Sequence, residues 1–308
     1  MVHELHCCFE NCLLGDKHAS RTDSTVRTYC YNLCWVAARM DGFTEDDVPS
    51  PEAVIGYCER NDVPSNRRQL TYSSMKVLHN ARNEPELSKK YAIPLVDARR
   101  ALHAKYKKQR RTKQQAANWL EFKCIKHCAE ELRKSTFALD KGAPWTKDNF
   151  ARAQLALVLT FHLRYPLRRD LCSVVYAGDG PNRLEKKEII LTDHKNKRWV
   201  PEYRFKLDRN AWRLVQLLKK QHKIRNLEPG NLLLNRYWRP MKANAFTNWM
   251  KREMGKLPEC EGKAVGCLSL RHSIITHRRR NDSTLDQREE FARCCMHSAS
   301  TNELYRIH

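Results

Sequence analysis

The chain has 308 residues, with 57 Lys+Arg against 35 Asp+Glu, and a formal charge of +22. That excess calls for a polyanionic partner, while 41% hydrophobic residues with only 10 Gly and 12 Pro exclude both a disordered chain and a sandwich of many short strands. The length suits one large or two ordinary helix-rich domains; no stretch reaches the roughly 18 apolar residues of a membrane span, and the start lacks a signal-peptide pattern, so an intracellular protein is expected.

Residues 1–23 read as an N-terminal tail with a frayed start. Its His3, His6, Cys7, Cys8 and Cys12 lack the second ligand doublet of a structural zinc site, so no metal is assigned. The 13 Cys, an odd number spread along the chain, are expected to be free thiols. Residues 24–108 read as a compact helical unit. One helix is capped by Ser24 and carries Val26, Tyr29, Leu33, Val36 and Met40 on one face; a second follows Pro51 with Val54, Ile55 and Cys58; a third carries Leu70, Met75 and Leu78.

Residues 109–145 read as a basic linker and a helix from about Gln115 to Lys134. The run around it offers Lys105, Lys107, Lys108, Arg110 and Arg111 as phosphate contacts or a nuclear-import segment, or as a solvated surface segment. Thr146 then opens a domain over residues 146–308. It begins with a helix through Leu155, Leu159 and Leu163 and a β-like run, Cys172 to Tyr176. Two more runs, Glu188 to Thr192 and Arg198 to Phe205, form a hairpin tipped by His194-Lys195-Asn196-Lys197. Asp208 caps a helix bearing Ala211, Leu214, Val215 and Leu218; another carries Phe246, Trp249 and Met250; a third opens near Ser269, and a last closes around Thr301 to Tyr305.

No phosphate-binding Gly-rich loop of either common type is present, so no nucleotide cofactor is expected. The informative part is the last forty residues: Leu268-Ser269-Leu270-Arg271-His272, a basic loop with Arg278 and Arg279, then Met296-His297-Ser298, and Tyr305 eight positions after His297. Upstream, Tyr165-Pro166-Leu167-Arg168-Arg169 sits between a helix and a β-run.

This order resembles the tyrosine recombinases, the phage-integrase family. The resemblance implies a mainly α fold with a small antiparallel sheet, in which a helical core-binding domain and a catalytic domain clamp duplex DNA. It implies a site-specific recombinase or integrase of a mobile element or virus, acting as a homo-tetramer through a 3′-phosphotyrosine intermediate, without metal, ATP or other cofactor. Its place of action would be the nucleus or the site of viral or element DNA replication. Tyr305 would be the nucleophile, Arg168 (with Arg169 as fallback) and Arg271 the phosphate clamps, His297 a base, and Lys195, in preference to Lys197, the general acid. Lys197, Arg278 and Arg279 would touch DNA. Leu268 stands where the family commonly has His, and Met296 where it has Gly. A DNA-binding protein that has lost cleavage and a type IB topoisomerase are the alternatives.

These residue types suit the chemistry on physical grounds. Attack on a phosphodiester builds negative charge on its non-bridging oxygens, which paired guanidinium donors stabilise. A phenol, with a pKa of about 10, needs help to lose its proton, and the departing oxygen needs an acid.

Overall fold

A computed structural model of the chain describes residues 2–14, 23–41, 43–44, 47–281 and 284–303. The chain divides into two compact units, Met1–Lys108 and Gln109–His308. The first is all-helical: α1 (Val2–Leu14), α2 (Asp23–Ala37), α3 (Pro51–Arg60), α4 (Ser65–Ala81), α5 (Pro85–Lys90) and α6 (Ala92–Lys107). Its core gathers Val26, Cys30 and Leu33 of α2, Val54 and Cys58 of α3, and Tyr72, Met75 and Leu78 of α4. One buried polar contact joins two of these helices: Asn32 Nδ2 donates to Ser74 Oγ at 2.7 Å. Ser50 caps α3 through Ala53 N–H at 3.2 Å, with Pro51 at the first helical position, where its missing N–H costs nothing.

Two expectations for this unit are corrected. The tail is helix α1, because Phe9 and Leu13 lie one turn apart and are buried, with Phe9 packed on Phe43 at a centroid distance of 5.4 Å. Helix α2 opens at Asp23, one residue before the Ser24 expected to cap it.

The second unit contains α7 (Lys113–Ala117), α8 (Phe122–Ala138), α9 (Lys147–His162), β1 (Asn182–Glu185), β2 (Glu188–Leu191), β3 (Tyr203–Lys206), α10 (Arg209–Ile224), α11 (Ala243–Met254), α12 (Cys267–Asn281), α13 (Leu285–Cys294) and α14 (Ala299–Glu303). Helix α9 is the core element: every residue from Ala153 to His162 is buried, the mark of a helix covered on all sides. Helices α8 and α10 pack against it, each through one apolar stripe, Ile125, Cys128, Ala129 and Leu132 on α8 and Leu214, Val215 and Leu218 on α10. The buried amide of Gln154 is met on both sides: it donates to Leu234 O at 3.0 Å and accepts from Leu234 N at 2.6 Å. Asp208 caps α10 as expected, accepting from Ala211 N at 2.8 Å.

The sheet is antiparallel in the order β1-β2-β3, with Leu184 opposite Ile189 and Ile189 opposite Phe205. The expected hairpin is β2 and β3, but β3 starts at Tyr203 and not at Arg198, so its connection is longer than expected and carries Lys195. Three further details differ from the sequence reading. The run Cys172 to Tyr176 is a 3₁₀ turn (Asp170–Ser173) followed by isolated bridges at Val175. The helix expected from Gln115 to Lys134 breaks around Asn118 into α7 and α8, because Trp119 and Leu120 turn into the core and Asn118 Oδ1 accepts Ala264 N–H at 2.6 Å. What read as linker, residues 109–145, belongs to the second unit, since α8 supplies part of its core. Among the described residues no helix is long and apolar enough to cross a membrane.

Candidate active site

After α9 the chain turns through Tyr165, Pro166 and Leu167, all three buried, with Leu167 N–H donating to Tyr165 O at 2.7 Å. This anchored turn leaves the next two arginines different partners. Arg169 is exposed and donates to Asn244 Oδ1 at 2.8 Å, whereas Arg168 is half-buried and brings Nη2 to 2.9 Å from His297 Nε2.

Arg271 lies on the inner face of α12, 1% exposed. Its Nη1 donates to Pro166 O and its Nη2 to Cys295 O at 2.6 Å. One guanidinium thus ties the turn that carries Arg168 to the turn that carries His297. The same Nη2 lies 2.8 Å from His297 Nε2 and 3.0 Å from Nδ1. Both guanidiniums thus lie within hydrogen-bond distance of Nε2. Burial, then the charges of Arg271, Arg168 and Lys195, push His297 from 6.5 down to about 3.

The turn that holds His297 is the end of α13. Cys295 is the cap, Met296 N–H bonds Arg293 O at 2.9 Å and His297 N–H bonds Ala292 O at 3.0 Å, the paired bonds of a Schellman motif. The residue after the cap in that motif takes left-handed backbone, and Met296 has φ +55°. This explains why a glycine would suit the position. Met296 takes it nonetheless, with its side chain buried in the core.

A cavity of about 600 Å³ opens beside this cluster, with Arg168, Lys195, Lys251, Leu268 and His272 among its walls. A small recess joins Arg168, Lys195, Arg271 and Met296. The structure separates the two lysines of the β2–β3 connection: Lys195 faces these recesses, and Lys197 pairs with Asp193 at 2.8 Å. Asn196 joins the connection to the Schellman turn, its Nδ2 donating to Met296 O at 2.6 Å, while its N–H donates to Nδ1 of buried His194 at 3.2 Å. Sequence reasoning missed Asn196, because an amide in a polar turn carries no signal for a partner a hundred residues away; His272 and Lys251 became candidates only through the cavity. Leu268, 57% exposed, presents an apolar side chain to that cavity.

Of the other sequence candidates, Lys105, Lys107 and Lys108 are exposed at the end of α6, and Arg110 is exposed in the second unit. Arg111 is half-buried, 3.8 Å over the Trp119 ring, so it acts in packing as well as in charge. Arg278 is exposed, but Arg279 is 6% exposed and ion-paired with Glu303. Arg279 is therefore corrected: its charge is spent holding α14, and the expected basic loop is the last turn of α12. Tyr305 lies outside the described residues. Among the described residues no group of three His, Cys, Asp or Glu side chains is placed to hold a metal ion.

The fold is similar to that of the Tn1549 transposon integrase in complex with transposon right end DNA, at 13% identity and TM-score 0.54 over 100% of this chain and 95% of that one. The chain has the tyrosine recombinase fold. XerA recombinase (12% identity, TM-score 0.43, 99% of this chain and 93% of that one) and XerH site-specific recombinase bound to difH substrate (13%, 0.47, 100% and 92%) also match. No family model matches the chain, and no curated protein matches it in sequence.

Proposed function

We propose that the chain is a site-specific DNA recombinase or integrase that cuts one strand through a 3′-phosphotyrosine link and rejoins it to a partner strand. The observation that carries this reading is the convergence of Arg168 and Arg271 on His297, with Lys195 on the wall of the same cavity. A phosphodiester entering there would meet two preorganised guanidiniums, the arrangement that stabilises charge developing on non-bridging oxygens. Burial, first, and the positive field of the arginines and Lys195 hold His297 near 3; the anion would relieve the field, raising the ring's affinity for a proton as the reaction needs one moved.

In the step proposed, the Tyr305 hydroxyl gives its proton to His297 and bonds to phosphorus, and the bond to the 5′ oxygen breaks as Lys195 protonates that oxygen. The ester keeps the energy of the broken bond, so the reverse step with another 5′ hydroxyl needs no ATP. By the same reading the two units close on duplex DNA, four protomers assemble on it, and the element served is mobile or viral, its DNA reached in the nucleus or where that DNA replicates.

The test is a nicked duplex whose cleavage product cannot be religated. The wild-type chain is expected to form a denaturant-resistant protein–DNA adduct and Tyr305→Phe to form none; an adduct from the Phe variant overturns the assignment. A second reading, duplex binding without cleavage, is favoured by Leu268 on the cavity wall. Binding by the wild-type chain with no adduct would select it.

A further inference from the structure

Trp199 is 80% exposed, the most exposed large hydrophobic side chain among the described residues. A tryptophan held in water gives up the burial that its large apolar surface would gain. Its neighbours are cationic: Lys195, Lys197 and Arg198 are all exposed, and the Arg198 guanidinium lies 5.4 Å from the indole centroid. Nor is this a slack loop. Trp199 N–H and Val200 N–H both donate to Asn196 O, at 2.9 and 3.1 Å, and the Asn196 amide donates to Met296 O at 2.6 Å. The backbone that carries the exposed ring is thus tied, through one asparagine, to the turn that carries His297.

We infer that Trp199 is a DNA contact: an apolar wedge or stacking surface that engages the bases or sugars of duplex DNA while the lysines beside it hold the phosphates. The inference rests on the reading above and adds to it a residue and the kind of contact it makes. The partner is nucleic acid and not another protein surface because the ring sits in a cluster of positive charge, which complements a polyanion. An aromatic ring meets a base without needing charge, so its contribution should be insensitive to salt, unlike a lysine's.

The test uses the full chain and a short mixed-sequence duplex. Trp199→Ala should weaken binding about tenfold with an unchanged salt slope, and Trp199→Phe should bind close to wild type. Lys197→Ala should lower the salt slope by about one. Because the ring packs on nothing in the core, the Ala variant should unfold at the wild-type temperature. As a check that needs no variant to fold, iodide quenching of wild-type tryptophan fluorescence should drop when duplex is added. Wild-type affinity in Trp199→Ala, with the Tyr305-dependent adduct intact, overturns the inference and leaves the reading standing. Self-association of the DNA-free chain that Trp199→Ala abolishes overturns it in favour of a second copy as the partner. Failure of the wild-type chain to bind duplex at all overturns both.

Discussion

Arg271→Met separates what Arg271 does for the fold from what it is proposed to do for phosphate. Methionine fills much of the same volume but offers no donor. The buried carbonyls of Pro166 and Cys295 then lose the guanidinium that meets them, at about 1–3 kcal/mol each. Relief of the arginine's own desolvation offsets part of that, leaving a net loss of about 3 kcal/mol. For a unit the size of Gln109–His308 this lowers the melting temperature by about 6–12 °C. His297 should change with it. Burial, the first cause of its low pKa, persists, but the charge of Arg271, the second, is gone, so its value should rise from about 3 while staying below 6.5. Differential scanning calorimetry and an NMR titration of the His297 ring protons measure the two effects. An Arg271→Met chain that melts with the wild type and titrates His297 unchanged would refute the role of Arg271 as the tie between the two turns. Arg168→Met, at a half-buried position, should cost less stability.

The remaining predictions concern acid and backbone. His162, His222 and His297 are held neutral by burial, at about 4, 4 and 3 against an unfolded value of 6.5. Their stability contribution is complete above pH 6.5 and is lost as pH falls toward those values, by roughly 2 kcal/mol each between pH 6.5 and 5. Urea unfolding at pH 7 and pH 5 should show the loss, and equal stability at both refutes it. At Met296, φ +55° makes glycine the better small residue. Both Met296→Ala and Met296→Gly forfeit the buried side chain, but the Gly variant should be the more stable of the two by about 1 kcal/mol, the reverse of the usual order. If Ala is better, the Schellman reading of the turn fails.

The helices through Leu33, Val54, Leu155, Leu214 and Trp249 were legible because their apolar residues repeat at helical spacing and because Asp208 is a residue that caps; α13 was not, since the stretch before Met296 read as a basic loop. The β2–β3 hairpin was legible from two β-like runs around a polar turn. Strand β1, Asn-Arg-Leu-Glu, has no such signal, since its pairing with β2 defines it and its own composition does not. Helix α1 was hidden by polar and cysteine residues around two buried apolar ones, Phe9 and Leu13. The break between α7 and α8 was hidden because the carbonyl and amide groups that stabilise it come from distant residues, Asn118 bonding Ala264. In the site, the arginines and His297 were legible as chemistry in order. The turn beneath His297 was not, because methionine stands where a glycine would have announced a helix end.

Two arginines of α12 show why position, not basicity, sorts the charges of this chain. Arg271 and Arg279 are both buried on the same helix. Arg279 meets the carboxylate of Glu303, and an ion pair of that kind cancels the charge it holds. Arg271 is oriented by backbone carbonyls, which fix a guanidinium through their dipoles. Facing it stands His297, kept uncharged by burial and then by the charges of Arg271, Arg168 and Lys195. Burying such a cluster of positive charge carries a desolvation cost. The core elements that hold it, the Pro166 turn and the Schellman end of α13, are what make the cost tolerable. An anion delivered between Arg168 and Arg271 would find its donors already aimed, so the reorganisation that solvent would otherwise undergo at the moment of reaction has been done in folding.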